Sequence, residues 1–261
     1  MYRTTVVLIL TFLLVFSARH AARADEWPAV LRDAQAKCER QRTEIRDMVI
    51  VEDMVTTTDE GEITAEHTLY RKDGKSRVEM TMHVPQADMG DMKTIIIDDG
   101  KDVWMFHSLT GKRKVSSEEA AERSEFRDCW DFTPENSRVV RSETVDGHDC
   151  FVVEMTRDDV NHHLWLEKST SRILQGESFQ EDARVRWALS DFRKVLGDYE
   201  YPYRIDLFDG QKLMTTMTVK SITANGGLSD DLFDPDQVEM PSMNMEELLQ
   251  KMFQEAEEDT R

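Results

Sequence analysis

Apolar and polar residues alternate over residues 77–84, and this period of two predicts a β-strand. Val78, Met80, Met82 and Val84 would lie on one face of that strand, with charged and polar side chains on the other. Similar segments recur over residues 48–224, separated by short polar turns. We expect about eleven such strands. Because consecutive strands are joined by short turns, they should form an antiparallel meander rather than parallel β-α-β units.

One predicted hairpin does not alternate. Residues 95–97 and 103–106 are apolar throughout, and they flank the polar, glycine-bearing turn at residues 98–102. β-formers on either side of such a turn are typical of a hairpin. Since neighbouring residues of a strand face opposite sides, both faces of this hairpin are apolar. Something has to cover the second face: helices of the chain, a lipid, or both in turn.

The apolar period becomes helical near both ends of the chain. Residues 26–46 carry apolar side chains on one side, with Pro28 in the first turn. After Pro241 a second helix is predicted, capped by Asn244 with Glu247 and followed by a frayed tail. Its apolar face would consist of Met245, Leu248, Leu249, Met252, Phe253 and Ala256.

The number of strands constrains the fold. About eleven strands are more than most open sheets carry without curling, and a curled sheet has a concave face that must be filled. The predicted fold class is therefore mainly β (α+β), with a curved antiparallel sheet and helices over its concave face. We expect one domain over residues 25–240, followed by the amphipathic helix and tail at residues 241–261.

The first residues have the pattern of a secretory signal peptide. Arg3 precedes a nearly unbroken apolar run at residues 6–16, and residues 22–24 form a small-x-small cleavage sequence. The apolar run is shorter than the ~20 residues that span a bilayer. We expect cleavage after Ala24, so that residues 1–24 are removed and a soluble protein of 237 residues is exported to a periplasm or outside the cell.

The charge of the chain restricts its partners. The formal net charge is −19, and it becomes −22 when the three arginines of the predicted leader are removed. Phosphates attract clustered lysines and arginines. The charge therefore argues against nucleic acid or an anionic membrane surface as the main partner. No later segment is apolar enough to predict a transmembrane helix.

The three cysteines are Cys38, Cys129 and Cys150. Two of them can pair in an oxidising compartment. Cys129 and Cys150 flank a predicted loop and strand pair, and they are our disulfide candidate, with an expected contribution of about 3 kcal/mol. Spacing alone does not establish connectivity. Cys38 falls on the apolar side of the first helix, where a small buried hydrophobic residue is expected.

The sequence contains no motif that predicts catalysis: no Gly-x-Ser-x-Gly, no phosphate-binding loop and no Cys-x-x-Cys. His162 and His163 are neighbours on a predicted strand, so one should face inward and the other outward, without sharing a metal. Residues 230–236 are acidic but lack the Gly and Glu spacing of a calcium loop. We predict no catalytic residue, no metal and no cofactor.

Apolar side chains remain as candidates for a binding site. The chain has 15 methionines, whose unbranched side chains adapt to ligands of varied shape, although an ordinary core is the alternative for any single one. A curved sheet with an apolar inner face is either plugged by its own helices or partly open to a hydrophobic ligand. The candidate cavity residues are Val78, Met80, Met82, Ile96, Trp104, Phe106, Met245, Leu249, Met252 and Phe253.

Several motifs together resemble one family. In chain order they are GKSRVE (74–79), IDDGKDVW (97–104), GHDCFVV (147–153), LWLE (164–167) and NGGLSDDLFDP (225–235). With the leader, the first helix and the meander, they resemble the LolA-like outer-membrane lipoprotein-sorting proteins over residues 26–240. Each motif alone is weak, and their order along the chain is more specific.

The resemblance implies an incomplete antiparallel barrel whose concave side is covered by helices. In carriers of this family the cavity receives the acyl chains of lipoproteins or other lipids, and the family also includes non-carriers that sense mislocalised lipoproteins. Arg77 matches the family's early-strand arginine near the cavity, and it is our polar candidate at the cavity rim. The proline-bearing pattern that precedes this arginine in carriers is absent here.

Two functions are therefore expected from the sequence. The first is a periplasmic, non-enzymatic binder or carrier of an acyl chain or another lipid, which hands its ligand to a membrane or an envelope protein. The second is a structural or regulatory interaction module whose cavity is closed by the helix at residues 243–256.

Overall fold

A computed structural model describes residues 29–83, 91–116, 130–157, 160–180 and 183–240, without the side chains of residues 180 and 183. The predicted signal peptide and C-terminal helix lie outside these residues. Helix α1 covers residues 29–44. The strands are β1 (Asp47–Thr58), β2 (Gly61–Lys72), β3 (Lys75–His83), β4 (Met92–Asp98), β5 (Val103–His107), β6 (Gly111–Lys114), β7 (Ser137–Val145), β8 (His148–Arg157), β9 (Val160–Glu167), β10 (Ile173–Gln180), β11 (Ala183–Leu196), β12 (Tyr199–Asp209) and β13 (Lys212–Ala224).

The strands form a single antiparallel sheet with the order β6-β5-β4-β3-β2-β1-β13-β12-β11-β10-β9-β8-β7. Two meanders, β1 to β6 and β7 to β13, are joined where β1 pairs with β13. Strands β6 and β7 stand at opposite ends of this order, so the sheet is not closed. The predicted fold class, a mainly β chain with an incomplete antiparallel barrel, is confirmed, with thirteen strands instead of about eleven.

The chain divides into two compact units. The first comprises Met1–Arg40 and Cys129–Arg186, and the second comprises Gln41–Asp128 and Trp187–Arg261. In the first unit, strands β8 and β9 carry a core that is buried on both faces. Phe151, Val153, Met155, Leu164 and Leu166 lie on one face and are at most 1% exposed. Cys150, Val152 and Trp165 cluster on the other face.

In the second unit the strand register separates the residues of β1 to β5 into two faces. Leu69, Val78, Ile96 and Met105 are successive cross-strand partners, and with Met80 and Met82 they lie on one face, which we call the methionine face. The opposite face, which we call the strap face, carries Tyr70, Arg77, Ile95, Ile97, Trp104 and Phe106.

The strap face is covered by residues 226–240, which follow β13 and which we call the strap. Its 3-10 helix, Asp230–Phe233, buries Phe233 against Ile97 and Phe106, and each of these three side chains is at most 4% exposed. Leu228, Leu232, Val238 and Met240 pack against the same cluster. The second apolar face of the hairpin therefore meets the chain's own strap.

Candidate functional site

The methionine face has an apolar row that is only partly covered. Val78, Met80, Met82 and Ile96 are each intermediate in exposure, whereas Met48 and Ile50 on the same face of β1 are buried. The row exists because β2 to β4 alternate in step: Val78 lies between Leu69 and Ile96 across the ladder, whereas Met80 lies between His67 and Thr94. It is a continuous apolar surface over adjacent strands, of the kind that marks a ligand groove or an interface.

A polar group interrupts this face. Glu52 of β1 is 3% exposed, and its Oε2 lies 3.0 Å from Nδ1 of its cross-strand partner His67. Arg71 lies four residues further along β2, on the same face, and burial lowers the pKa of its guanidinium. Burial also raises the pKa of Tyr199 and of Tyr201, and both tyrosines interact electrostatically with Arg71.

The polar group stands on the core of the second unit. Met48, Ile50 and Val219 form that core, and Leu69, Tyr199, Tyr201 and Tyr203 pack against it. The rings of Tyr199 and Tyr201 are in edge contact, with centroids 6.5 Å apart. β-Pairing thus holds Glu52 opposite His67, and aromatic packing holds Tyr199 beside Tyr201 on this core.

The predicted cavity residues do not all come together. Val78, Met80, Met82 and Ile96 share the methionine face, as expected. Trp104 and Phe106 pair with Ile97 and Ile95 on the strap face, so their assignment to the same cavity is wrong. The reason is the alternation itself, because Trp104 and Phe106 flank Met105, the residue that faces the methionine side. Met245, Leu249, Met252 and Phe253 lie outside the described residues.

Arg77 lies on the opposite face from the methionine row, and its predicted role at a cavity rim stays a prediction. Its side chain is 12% exposed and lies on the strap face, where Nε bonds Glu79 Oε1 at 2.7 Å and Nη1 donates to the carbonyl of Leu232 at 2.9 Å. Arg77 therefore holds the strap. Lys72 does the same at the start of the strap, donating to the Leu228 carbonyl at 2.7 Å.

The predicted disulfide between Cys129 and Cys150 is also wrong. Cys150 is a free thiol and is fully buried, and burial raises its pKa to about 11. It points into the cluster with Val152 and Trp165, so no second cysteine is available to it there. Cys38 is the residue that is disulfide-bonded. Cys129 lies outside the described residues.

The histidine pair behaves as the alternation predicts. His162 is 4% exposed and bonded to Ser178 at 2.9 Å, whereas the side chain of His163 is on the other face, 3.9 Å from Glu154. In the acidic stretch after β13, Asp230 pairs with Lys72 and Lys75, and the hydrogen bond from Lys72 lowers its pKa. No three His, Cys, Asp or Glu side chains in the described part of the chain are placed to hold a metal ion.

Two features were missed at the sequence level. The strap was considered only as an acidic stretch and as part of a family motif, although it contains the apolar residues Leu228, Leu232 and Phe233. The polar group had a usable signal, because Glu52 and Arg71 both fall on the apolar face of their own alternating strands. A charged residue in register with apolar ones is unusual unless it is paired or functional.

Comparison with protein families identifies a matching profile, described as "Uncharacterized protein", over residues 74–240. That match covers more than half of the chain. The chain belongs to this family. The matched region begins in the turn before β3 and includes the whole strap. No curated protein sequence matches the chain.

Solved structures show the fold. A DUF1329 family protein from Desulfovibrio piger superposes with a TM-score of 0.61 at 16% identity, covering 81% of this chain and 98% of the other. A putative outer membrane lipoprotein-sorting protein domain from Vibrio parahaemolyticus gives 0.59 at 16% identity, covering 79% and 96%. A LolA superfamily protein from Nitrosomonas europaea gives 0.55 at 21% identity, covering 78% and 99%. The predicted LolA-like fold is thereby confirmed.

Within the described residues, no helix has the length and apolar character needed to cross a membrane.

Proposed function

We propose that this protein is a periplasmic, non-enzymatic binder or carrier of a hydrophobic ligand, such as a lipoprotein acyl chain or a lipid. The observation that carries the proposal is the row Val78, Met80, Met82 and Ile96, which is apolar, lies on the two adjacent strands β3 and β4, and is only partly covered. The strap covers the opposite face of the same strands. The methionine face is therefore the apolar surface that remains for a ligand.

The chemistry of the row supports this assignment. Methionine is unbranched and polarisable, so it accommodates chains of varied shape. Burying a hydrocarbon chain is worth about 0.8 kcal/mol per CH₂, so a dry apolar groove gives useful affinity without covalent chemistry. The names of two neighbours of the same fold, a lipoprotein-sorting domain and a LolA superfamily protein, agree with a carrier. The leader-like N terminus suits a periplasmic location.

The test is a titration of the purified chain with a fluorescent fatty-acid analogue, comparing wild type with Met80→Asp. We expect a loss of at least about tenfold in affinity, because the new carboxylate would have to be desolvated under the ligand. Thr81→Asp is the matched control, since Thr81 is the next residue of β3 and faces the strap side. Equal binding by all three proteins would refute the assignment of the ligand to the methionine face.

A second candidate is an interaction module whose methionine face is closed by the predicted helix at residues 243–256. The amphipathic pattern of that segment favours it. Deleting residues 241–261 separates the two functions. New binding of the fatty-acid analogue after truncation indicates a plug, and strong binding by both forms indicates an open carrier. No binding by either form would favour the interaction module.

A further inference from the structure

One histidine on the methionine face is held in place by a buried carboxylate. Nδ1 of His67 is 3.0 Å from Oε2 of Glu52, which is 3% exposed, and the two residues are direct partners across the β1–β2 ladder. Because a carboxylate only accepts hydrogen bonds, Nδ1 carries the proton of the neutral imidazole and Nε2 keeps its lone pair. Among the described residues, no hydrogen bond reaches Nε2. The structure thus orients a basic nitrogen that no protein group uses.

Three methionines are neighbours of His67 on this face. Met80 of β3 is its direct cross-strand partner, and Met82 is the next residue of β3 on the same face. Met54 of β1 and Met82 are both paired with Ala65, the next residue of β2 on this face. The Cβ atoms of direct cross-strand partners are roughly 5 Å apart, and those of diagonal partners roughly 7 Å. The three sulfur atoms are therefore carried within reach of one imidazole.

Ala65 leaves room for these groups to meet. Its side chain is a single methyl group, and it lies between the long side chains of Met54 and Met82. A methionine side chain has three rotatable bonds, so its sulfur can turn towards the space above a small neighbour. The two nitrogens of an imidazole point in roughly opposite directions. With Nδ1 of His67 directed to β1, Nε2 is therefore turned towards the side of β3 and Met80.

This combination of ligands suits a soft metal ion. Thioether sulfur selects Cu(I), and imidazole also binds copper. A histidine that ligates a metal almost always donates its other ring N–H to a carboxylate or carbonyl group, as His67 does to Glu52. A site of this kind needs no second histidine, cysteine or carboxylate as a ligand.

We propose that Nε2 of His67 and the sulfur atoms of Met80 and Met82 bind a soft monovalent cation, Cu(I). Met54 is placed on β1 to supply a third sulfur, and Glu52 is a positioning residue, because it fixes the ring of His67 without touching the ion. The inference goes beyond the proposed function and does not depend on it, since the site needs no apolar ligand.

The experiment titrates the full chain with Ag(I), a soft stand-in for Cu(I) that needs no reductant and so leaves the disulfide of Cys38 intact. Cys150→Ala is the starting protein, so that no free thiol competes for silver. Calorimetry should show a single site. Met80→Leu should lower its affinity at least about tenfold, since even the loss of a partner outside the ligand set costs that much. Met105→Leu is the matched control, because Met105 lies on the same face, three strands from His67.

Two further measurements locate the ion. The ε-methyl NMR signal of Met80 should shift when Ag(I) is added, and that of Met105 should not. His67→Gln should lower the affinity by a similar factor, because glutamine can still donate to Glu52 but offers no ring nitrogen. Met80→Leu conserves volume and apolar surface, so binding of the fatty-acid analogue should be retained.

The outcomes separate this site from the proposed function. No silver binding, or equal binding by the starting protein, Met80→Leu and His67→Gln, would overturn the metal site and leave the proposed function standing. A shift of the Met105 methyl signal equal to that of Met80 would also overturn it. Silver binding that depends on Met80 and His67, in a chain that does not bind the fatty-acid analogue, would support the metal site and overturn the proposed function.

Discussion

At the scale of single residues, burial decides what each candidate side chain does. Cys150 has no exposed surface and lies among Val152 and Trp165, so its thiol is part of the core and is not a reactive group. Arg77 was expected at a cavity rim from the resemblance, and in the structure its side chain bonds Glu79 and the Leu232 carbonyl of the strap. Burial also lowers the pKa of Arg71 and raises the pKa of Tyr199 and Tyr201.

The buried thiol makes stability depend on alkaline pH. Burial raises the pKa of this thiol to about 11 in the folded chain, which is above the pKa of a free cysteine. At pH values between these two pKa values, the unfolded state therefore binds fewer protons than the folded state. Stability therefore falls as pH rises, by about 2 kcal/mol from this group at pH 11. The Cys150→Ala variant has no thiol at this position, so its stability lacks this part of the pH dependence.

Urea unfolding at pH 8 and pH 10.5 checks the prediction. The stability difference between wild type and Cys150→Ala should shrink at the higher pH. Tyr199 and Tyr201, whose pKa values are also raised, contribute equally to both proteins. A difference that is constant with pH would contradict a perturbed thiol.

At the scale of elements, the strap is what allows two apolar faces in one hairpin. Its backbone is anchored at both ends: the amide of Gly227 donates to the buried carboxylate of Asp47 at 3.1 Å, and Lys112 donates to the Pro235 carbonyl at 3.1 Å. Gly227 has a φ of +80°, a conformation that favours glycine and that turns the chain out of β13. Between these anchors Phe233 fills the apolar surface.

Phe233→Ala should destabilise the chain by about 3 kcal/mol, because it leaves a cavity against Ile97 and Phe106. Chemical denaturation measures the loss. Leu213→Ala is the control, since Leu213 is 42% exposed and its truncation should change stability by no more than about 0.5 kcal/mol. Similar small losses for both variants would mean that the strap does not contribute to the core of the second unit.

At the scale of the whole molecule, the sheet order brings together parts of the chain that are distant in sequence. Strand β1 pairs with β13, so the second unit contains both the early strands and the final three. The first unit also combines segments that are distant in sequence. Helix α1 contributes residues 29–40 to it, and the next residues of that unit begin at Cys129. A disulfide from Cys38 to Cys129 would tie these two segments of the first unit.

We expect a single reactive thiol per chain in denaturant without reductant, and three after reduction, because Cys150 is free and Cys38 is bonded. Reduction should also lower stability by about 5 kcal/mol, since a bridge between Cys38 and Cys129 would close a loop of roughly 90 residues. Peptide mapping under non-reducing conditions should link Cys38 with Cys129. A peptide that links Cys150 to either residue would contradict this arrangement.

Much of the fold follows from the local pattern of the sequence. The alternation in β3, the hairpin around residues 98–102 and the short turns predicted a meander, because strand pairing between neighbours is set by local turn chemistry and side-chain period. The short strand β6 was the weakest signal, since its four residues are polar and exposed. The predicted count fell short by two strands.

The sequence by itself determined which residues share a face, since alternation is a property of the extended backbone. Only the tertiary structure decided what each face meets: Trp104 and Phe106 meet the strap, Cys150 meets the core, and Val78, Met80 and Met82 remain partly exposed. The physical reason is that covering a face depends on contacts between distant segments, and neither the period nor the spacing of residues encodes those contacts.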